Sequence, residues 1–299
     1  MVTRFLSSLL FNLARIISFL PFSWLYAISR FVAFFLRHVI GYRKNVIIQN
    51  LSRSFPEYKY KQISSIANDF YLHFSDVFLE VVKSISLQGS NFKKRYKIEN
   101  PELILNYYQN DRNIIALTGH IANWEWMSII PSLFPFACYT LYKPLRSKIA
   151  ENLMTRIRHR FGMKLLPMSN AARYILSNKN SKAMYIFIGD QSPHKTENDF
   201  FVQFLHQKTS FFNGGAKLAR ATQAAIVYIS IKKVKRGYYS VSFIPIEVQG
   251  TFKHDVQLKN TSSKNNFEEE VIQLYAKLLE NDIKANPVHW LWSHKRWKH

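Results

Sequence analysis

The stretch Asn113-Ile114-Ile115-Ala116-Leu117-Thr118, followed by Gly119-His120-Ile121-Ala122-Asn123-Trp124-Glu125, indicates the fold class. The first part is short, rich in branched apolar residues and bounded by glycine, which is typical of a buried parallel strand. The residues from Trp124 to Ile130 predict a helix, with Pro131 beyond it. A strand, a loop that glycine makes easy, and a helix therefore follow one another here.

His120 and Glu125 are the first candidates for chemistry. They lie five positions apart, which puts them roughly 140° apart around a helix, so they cannot share a helix face. If they touch, His120 must lie in the loop and Glu125 in the first helical turn. A carboxylate bound to one imidazole nitrogen leaves the other nitrogen free to take a proton, as a general base for acyl transfer requires. The alternative is a loop histidine beside a glutamate that favours a helix N-terminus.

Length and composition restrict the remaining possibilities. The chain has 299 residues, of which 47% are hydrophobic, enough for one large α/β core with or without an appendage. Its net charge of +22 favours nucleic acid, an anionic membrane surface, or an acidic substrate or carrier protein as partner. The only cysteine, Cys138, lies in an apolar run and is predicted to be a core residue, which suits a cytosolic location. Motifs for nucleotide binding, serine hydrolysis and zinc proteolysis are absent.

The N-terminal segment is apolar and aromatic from Phe5 to Leu36 but is interrupted by Arg15, Pro21 and Arg30. Its longest charge-free stretch has fourteen residues, fewer than the roughly twenty that a spanning helix needs. We predict two apolar helices broken near Leu20-Pro21 that lie in or dip into a bilayer, rather than an ordinary core pair. The expected domains are residues 1–45, membrane-associated, and residues 46–299, an α/β domain.

Strand and helix patterns alternate from Tyr96 onward, after a helix predicted over Tyr58–Ser86. This alternation predicts a mixed, largely parallel sheet flanked by helices, with sites at the carboxyl ends of its strands. The predicted strands are Tyr96–Glu99, Asn113–Thr118, Phe136–Tyr142, Ala183–Ile188, Ala225–Ile231 and Tyr239–Glu247. The predicted helices are Pro101–Gln109, Trp124–Ile130, Arg146–Phe161, Asn170–Ser177, Gly214–Ala221 and Phe267–Lys284, and 253–266 is predicted to be a flexible loop.

Four stretches, in this order, resemble one family. They are Asn50-Leu51 with Phe55-Pro56-Glu57, Gly119-His120 through Asn123-Trp124-Glu125, Asp190-Gln191 followed by Phe201-Val202-Gln203-Phe204, and Trp290-Leu291-Trp292-Ser293-His294-Lys295-Arg296-Trp297-Lys298. Together they resemble the bacterial late acyltransferases of lipid A biosynthesis, the lauroyl/myristoyl transferase family. The resemblance implies a glycerolipid acyltransferase-like fold. It also implies transfer of a fatty acyl chain from acyl carrier protein to a hydroxyl of a phosphorylated glycolipid, at the cytoplasmic face of the inner membrane.

The resemblance also assigns roles to residues. The catalytic histidine and its acidic partner fall on His120 and Glu125, and the family arginine falls on Arg158. Asp190 is expected to hold Arg158 or orient substrate, and Asn123 and Gln191 are expected to bind substrate. Helix geometry turns Arg158 away from Arg156 and Arg160, which would meet solvent or headgroup phosphates.

The chain departs from the family pattern in two places. Gln203 stands where the family usually has proline, and Ser210-Phe211-Phe212-Asn213-Gly214 replaces a small, threonine-rich run. These departures bear on the acyl-chain pocket and the acceptor rather than on the chemistry. His206 and His289 are predicted to be structural or surface residues, and His194 with Asp199 ranks below His120 because no helix start follows that pair.

The expected mechanism needs no metal and no cofactor, because a thioester is already activated. Neutral His120, oriented by Glu125, would deprotonate the acceptor, with Arg158 or backbone N–H groups after Gly119 stabilising the oxyanion. Alternatives of the same mechanism would acylate a lysophospholipid, an aminolipid or another glycolipid. A catalytically silent scaffold and a nucleic-acid-binding protein are the rivals from other classes; the dispersed basic residues and apolar N-terminus argue against nucleic acid.

Overall fold

The computed structural model describes residues 2–192, 200–248 and 264–297, with the side chains of 2–4 and 264–266 excluded. The predicted His194–Asp199 pair and most of the predicted 253–266 loop lie outside the described residues. The strands are β1 (Tyr96–Ile98), β2 (Ile114–Thr118), β3 (Ala137–Tyr142), β4 (Lys164–Pro167), β5 (Ala183–Ile188), β6 (Phe200–Phe204), β7 (Gln207–Phe211), β8 (Ala225–Lys235) and β9 (Tyr238–Pro245). The helices are α1 (Val2–Ser18), α2 (Phe22–Phe34), α3 (Lys44–Ser54), α4 (Tyr60–Lys83), α5 (Gly89–Arg95), α6 (Pro101–Gln109), α7 (Lys148–His159), α8 (Met168–Ser177), α9 (Gly214–Thr222) and α10 (Lys264–Ala285).

Within the described residues, seven strands form one sheet in the order β1-β9-β8-β2-β5-β3-β4, and β6 with β7 forms a separate hairpin. All neighbouring pairs in the main sheet are parallel except the antiparallel pair β8–β9. Every residue of β2 is buried, as expected for a central strand covered by helices on both faces. The predicted mixed, largely parallel sheet with flanking helices is therefore confirmed.

Most predicted elements are confirmed to within a few residues, and the differences have identifiable causes. The segment Trp124–Ser132 is a 3-10 helix and not an α-helix, and it contains Pro131, which cannot donate an i→i−4 hydrogen bond. The pattern missed β4, the hairpin, α5 and α3, of which all but α3 are short. Short elements carry too few residues for a clear apolar period.

The predicted break in the N-terminal segment is confirmed. Helices α1 and α2 meet at Pro21, and the pair Phe5–Ser18 and Phe22–Val39 is bent by 119°, the second member including a π-helical turn, Phe35–Val39. No single described helix has the length and hydropathy to cross a membrane; the bent pair meets that criterion only when its two parts are counted together. Large apolar side chains on the outer side of the pair are at least half exposed: Phe5, Leu13, Ile16, Phe19, Trp24, Phe31 and Phe34.

Polar contacts join the N-terminal pair to α4. The Tyr26 hydroxyl donates to Glu80 Oε1 at 2.9 Å, and the Lys83 ammonium donates to the carbonyls of Ser18 and Leu20 at 2.8 and 2.9 Å. Ser29, on the buried face of α2, donates to the buried Asp76 carboxylate. The two apolar helices are thus bonded to the body of the protein, and a domain boundary at residue 45 stays a prediction.

The buried His73 and the partly buried His289 pack together behind the loop that follows β2. The His73 and His289 rings lie 4.6 Å apart, and the His289 carbonyl accepts the Ala122 N–H at 2.8 Å. Burial, reinforced by the charge of Lys233, lowers the pKa of His289 to about 4. Burial and the neighbouring His289 lower the pKa of His73 as well.

These pKa shifts predict a pH-dependent stability. Below about pH 6.5 the unfolded chain binds protons that the folded chain excludes, so the free energy of unfolding should fall as the pH drops from 7 to 5. For His289, with a pKa of about 4, the loss over that interval is about 2 kcal/mol. His289→Gln should make the fall shallower in urea unfolding at several pH values. His206→Asn, which changes an exposed turn residue, is the matched control, and an equal slope in both variants would contradict the assignment.

Candidate active site

Two adjacent parallel strands bring the central pair of side chains together. Strands β2 and β5 are paired in register, with Thr118 opposite Ile188. His120 is the second residue after β2, and Asp190 is the second residue after β5. Both therefore emerge side by side at the carboxyl edge of the sheet, where ligand sites of α/β proteins usually lie.

The Asp190 carboxylate is fully enclosed and accepts three hydrogen bonds. His120 Nδ1 lies 2.5 Å from its Oδ1, while the His120 backbone N–H and the Trp290 indole N–H donate to its Oδ2 at 2.8 and 2.7 Å. Burial alone would raise the pKa of Asp190, but interaction with the His120 ring and these hydrogen bonds outweigh it and lower the pKa to about 2. The carboxylate is therefore ionised throughout the physiological range.

This contact determines the tautomer of His120. With a carboxylate at Nδ1, that nitrogen carries the proton, and Nε2 presents a lone pair. The Gln191 amide nitrogen lies 3.3 Å from Nε2, and Gln191 is exposed. The Trp124 ring packs against the imidazole edge to face, at 5.3 Å between centroids. The basic nitrogen Nε2 thus accepts a hydrogen bond from the exposed Gln191 amide. That Gln191 binds substrate stays a prediction.

Glu125 is not the partner of His120, contrary to the prediction. It lies in the first turn of the 3-10 helix, as expected, but its carboxylate accepts two hydrogen bonds from Arg158, at 2.8 Å from Nε and 2.6 Å from Nη2. The prediction failed because it paired the histidine with the nearest carboxylate in sequence, whereas β5 delivers a carboxylate from 70 positions away. The predicted contact between Asp190 and Arg158 is also not formed, because Asp190 binds His120 and Arg158 binds Glu125.

Arg158 has the predicted orientation on α7. Burial alone would lower its pKa, but the charge of Glu125 and the hydrogen bonds to it dominate, so the net pKa is raised. Arg156 points the other way, over the Phe11 ring of α1 at 4.9 Å, and Arg160 donates to the carbonyls of Ser84 and Leu87. The alternation expected from helix geometry is confirmed, and only Arg158 faces Glu125.

Asn123 is buried and supports the loop, and its predicted role in substrate binding stays a prediction. Its side-chain amide donates to Glu80 Oε2 at 2.8 Å, and its side-chain oxygen accepts the Trp126 N–H at 3.3 Å. Both ends of the amide are thus used within the protein. Glu80 also accepts the Tyr239 hydroxyl at 2.6 Å, and its carbonyl accepts the Trp126 indole N–H.

Glu80 is one of two supporting residues that sequence reasoning missed. Burial raises its pKa even though hydrogen bonds from Tyr239 and Asn123 oppose that effect. A single carboxylate within the apolar run Val77-Phe78-Leu79-Glu80-Val81-Val82 was the available signal, because carboxylates are almost never fully buried unless paired.

Trp290 is the second supporting residue that sequence reasoning missed. It belongs to a C-terminal segment that closes the site. Ile121 bridges Trp290, and the His120 carbonyl accepts the Leu291 N–H at 3.1 Å. Asn50 holds this segment by donating to the carbonyls of Trp292 and His294, both at 2.9 Å. Three of the four stretches that carry the family resemblance therefore meet at Asp190 and His120, and the Asn50 stretch holds the last of them in place.

The departures from the family pattern lie on the β6–β7 hairpin. Phe211 is buried against Phe204 and Tyr275, while Gln203 and Phe212 are exposed. His206 is a left-handed turn residue of this hairpin, as predicted for a surface residue, and His289 packs on His73 in a structural role. Cys138 is a core residue as predicted, and burial raises the pKa of its thiol to about 12.

Among the residues that the structure describes, no three histidine, cysteine, aspartate or glutamate side chains converge as a metal site requires. The site is instead composed of two contacts made by carboxylates, Asp190 with the His120 imidazole and Glu125 with the Arg158 guanidinium, beside the Asn123–Glu80 support.

Comparison with known proteins shows the family of this chain. The model of the family described as bacterial lipid A biosynthesis acyltransferase matches residues 1–299. A lipid A biosynthesis palmitoleoyltransferase of Escherichia coli K12 is 20% identical over 280 residues, covering 93% of this chain and 86% of the relative. A lipid A biosynthesis acyltransferase of Shigella flexneri matches to the same extent, and one of Haemophilus influenzae is 20% identical over 71% of this chain and 66% of its own length. Because the family model spans the whole sequence, this chain belongs to the bacterial lipid A biosynthesis acyltransferases.

Proposed function

We propose that this chain transfers a fatty acyl group from acyl carrier protein to a hydroxyl of a lipid A precursor, at the cytoplasmic face of the bacterial inner membrane. The family membership supports an acyltransferase that acts on lipid A, and the names of the relatives agree with it. The observation that carries the chemistry is the contact between His120 Nδ1 and the buried Asp190 carboxylate, because it leaves Nε2 as a base.

The reaction begins at Nε2 of His120. This nitrogen takes the proton of the acceptor hydroxyl as the oxygen attacks the thioester carbonyl, and Asp190 stabilises the imidazolium that forms. The tetrahedral intermediate then collapses: the carbon–sulfur bond breaks, an ester bond remains, and the imidazolium returns the proton to the thiolate of acyl carrier protein. General-base assistance of this kind contributes about 10²–10⁴ in rate.

Arg158 is the best candidate for stabilising the oxyanion. The backbone N–H of His120 is bonded to Asp190 and that of Ala122 to His289, so two of the backbone donors after Gly119 are engaged elsewhere. The Arg158 guanidinium has five N–H donors, of which Glu125 accepts two. Glu125 acts in this proposal as a positioning residue that fixes the guanidinium plane.

The net charge and the exposed apolar surface of the chain support acyl carrier protein as the donor and the membrane as the location. A net charge of +22 favours an acidic carrier protein and an anionic lipid surface over a neutral one. The exposed apolar side chains of α1 and α2 suit insertion at the bilayer interface. A broken, amphipathic helix pair that lies on the membrane would keep the carboxyl edge of the sheet near lipid hydroxyls.

The first prediction concerns the acceptor. In cells that produce His120→Ala or no protein, one lipid A species should lose a single acyl chain in mass spectra of lipid extracts, because turnover loses about 10²–10⁴. Wild-type protein should restore that chain. A change confined to a phospholipid or aminolipid would keep the chemistry and contradict the acceptor, and unchanged lipids with normal protein levels would contradict both.

The two carboxylates should give different kinetic results. In Asp190→Asn, the oxygen must remain facing the two donors at Oδ2, so the amide NH₂ faces Nδ1 and forces the proton onto Nε2. The value of kcat should fall by about 10²–10⁴, because the base is then in the wrong tautomer. Glu125→Gln should lower kcat by about 10–100-fold, because Arg158 keeps a hydrogen-bond partner but loses its counter-charge.

Asp69→Asn, at an exposed position of α4, is the matched control for these variants. If Asp190→Asn has near-normal activity and Glu125→Gln is inactive, Glu125 and not Asp190 is the functional partner of His120.

Gly119 is predicted to be required for close packing rather than for an unusual backbone angle. A Cβ at this position would lie 2.7 Å from Leu279 Cδ1 and 3.1 Å from Asp190 Oδ2. Gly119→Ala should therefore displace Asp190, lower kcat at least about tenfold and cost about 1–3 kcal/mol of stability. Gly89→Ala, whose Cβ would meet nothing nearer than 3.9 Å, should leave both unchanged. Normal kcat in Gly119→Ala would show that this contact does not constrain the site.

A further inference from the structure

A cavity lies between α1, α7 and the turn that follows α4. It measures about 310 Å³ and is lined by Phe11, Arg15, Ile85, Arg156, Ile157 and Arg160. Neither His120 nor Asp190 contributes to it. Three of its six lining residues are arginines, and the other three are apolar.

The arginines of this cavity lack acidic partners. Among the ion pairs of the described residues, none involves Arg15, Arg156 or Arg160. Arg160 is held by the carbonyls of Ser84 and Leu87, and Arg156 by the Phe11 ring. Two guanidinium groups are thus fixed in place by neutral groups, and their charge stays uncompensated. Guanidinium groups match the geometry of phosphate oxygens, which they bind through paired N–H donors.

The position of the cavity suggests where such a phosphate would come from. One face of α1, including Ser7, Ala14 and Ser18, is buried, and Asn152 of α7 donates to the Ser7 hydroxyl at 3.1 Å. The opposite side of α1 exposes Phe5, Leu13 and Ile16. The arginines thus lie beside an apolar face, as they do where basic side chains meet phosphates at a bilayer surface.

We propose that this arginine cavity binds the phosphate group of an anionic membrane lipid. The apolar residues Phe11, Ile85 and Ile157 would contact the adjoining hydrocarbon or glycerol atoms, while Arg15 and Arg156 clamp the phosphate oxygens. Two sources share this chemistry: an anionic phospholipid of the bilayer, or a phosphate on the glycolipid acceptor, the second of which rests on the proposed function.

The test variant is Arg15→Gln with Arg156→Gln, in the full-length protein. Arg160 is left unchanged, because its carbonyl contacts hold the turn after α4. The matched control is Arg53→Gln with Arg173→Gln, which removes the same charge from two exposed positions outside the cavity. A second variant, Arg15→Lys with Arg156→Lys, keeps the charge but loses the paired donors. Equal melting temperatures would exclude misfolding as the cause of any difference.

The first readout is flotation with vesicles of phosphatidylcholine, alone or mixed with phosphatidylglycerol. If a phospholipid fills the cavity, the glutamine variant should bind the mixed vesicles at least about tenfold more weakly than its control, with the lysine variant between them. Binding to vesicles of phosphatidylcholine alone should be equal for the glutamine variant, the lysine variant and the control variant. This arm does not depend on catalysis, so it can succeed even if the proposed acyl transfer fails.

The second readout is KM in neutral detergent micelles, for the phosphorylated acceptor and for the same acceptor after phosphatase treatment. If the acceptor supplies the phosphate, the glutamine variant should raise KM about tenfold for the phosphorylated form only, with vesicle binding equal to the control. Equality of the variant and its control in both readouts would overturn the proposal.

Discussion

The buried Asp190 carboxylate is the constraint on which the rest of the site depends. A carboxylate removed from water is costly unless hydrogen bonds replace its hydration, and here His120 and Trp290 supply three. These donors belong to the loop after β2 and to the C-terminal segment, while the acceptor follows β5. In the folded protein the buried charge is therefore satisfied only when the strands, the loop and the C-terminal segment are all in place.

This constraint explains why stretches that lie far apart in the chain form one unit. Asn50 satisfies two carbonyls of the C-terminal segment, and that segment in turn presents Trp290 to Asp190. Phe55 packs edge to face on Trp292 at 5.9 Å, and Trp290 lies against Phe204 of the hairpin at the same distance. Each stretch is weak as a local motif, since a loop asparagine or a tryptophan recurs by accident. Together they surround one polar contact, which gives the ordered set its specificity.

The sequence predicted the fold better than the site, for a physical reason. Apolar period and glycine boundaries are local properties, so β2, β5 and the helices between them could be placed from residue patterns. Whether β5 lies beside β2 is decided by long-range packing, and that pairing is what brings Asp190 to His120. A reader of the sequence could place both residues at the carboxyl edge but not choose between Glu125 and Asp190 as the partner. The role of Glu80 could not be predicted from local patterns, because it depends on the packing of α4 against Asn123 and Tyr239.

Separate partners for the two carboxylates also make chemical sense. A general base must be neutral before it takes a proton, and an unpaired guanidinium nearby would oppose the arrival of that proton. The Glu125–Arg158 pair is close to neutral overall, and in the proposed mechanism its remaining N–H donors would serve a developing oxyanion. In the same proposed mechanism the negative charge of Asp190 would favour the imidazolium as it forms. If one carboxylate served both His120 and Arg158, the cation would weaken its support for the base. Two separate pairs remove that conflict, and the parallel strands and α7 hold each pair in its place.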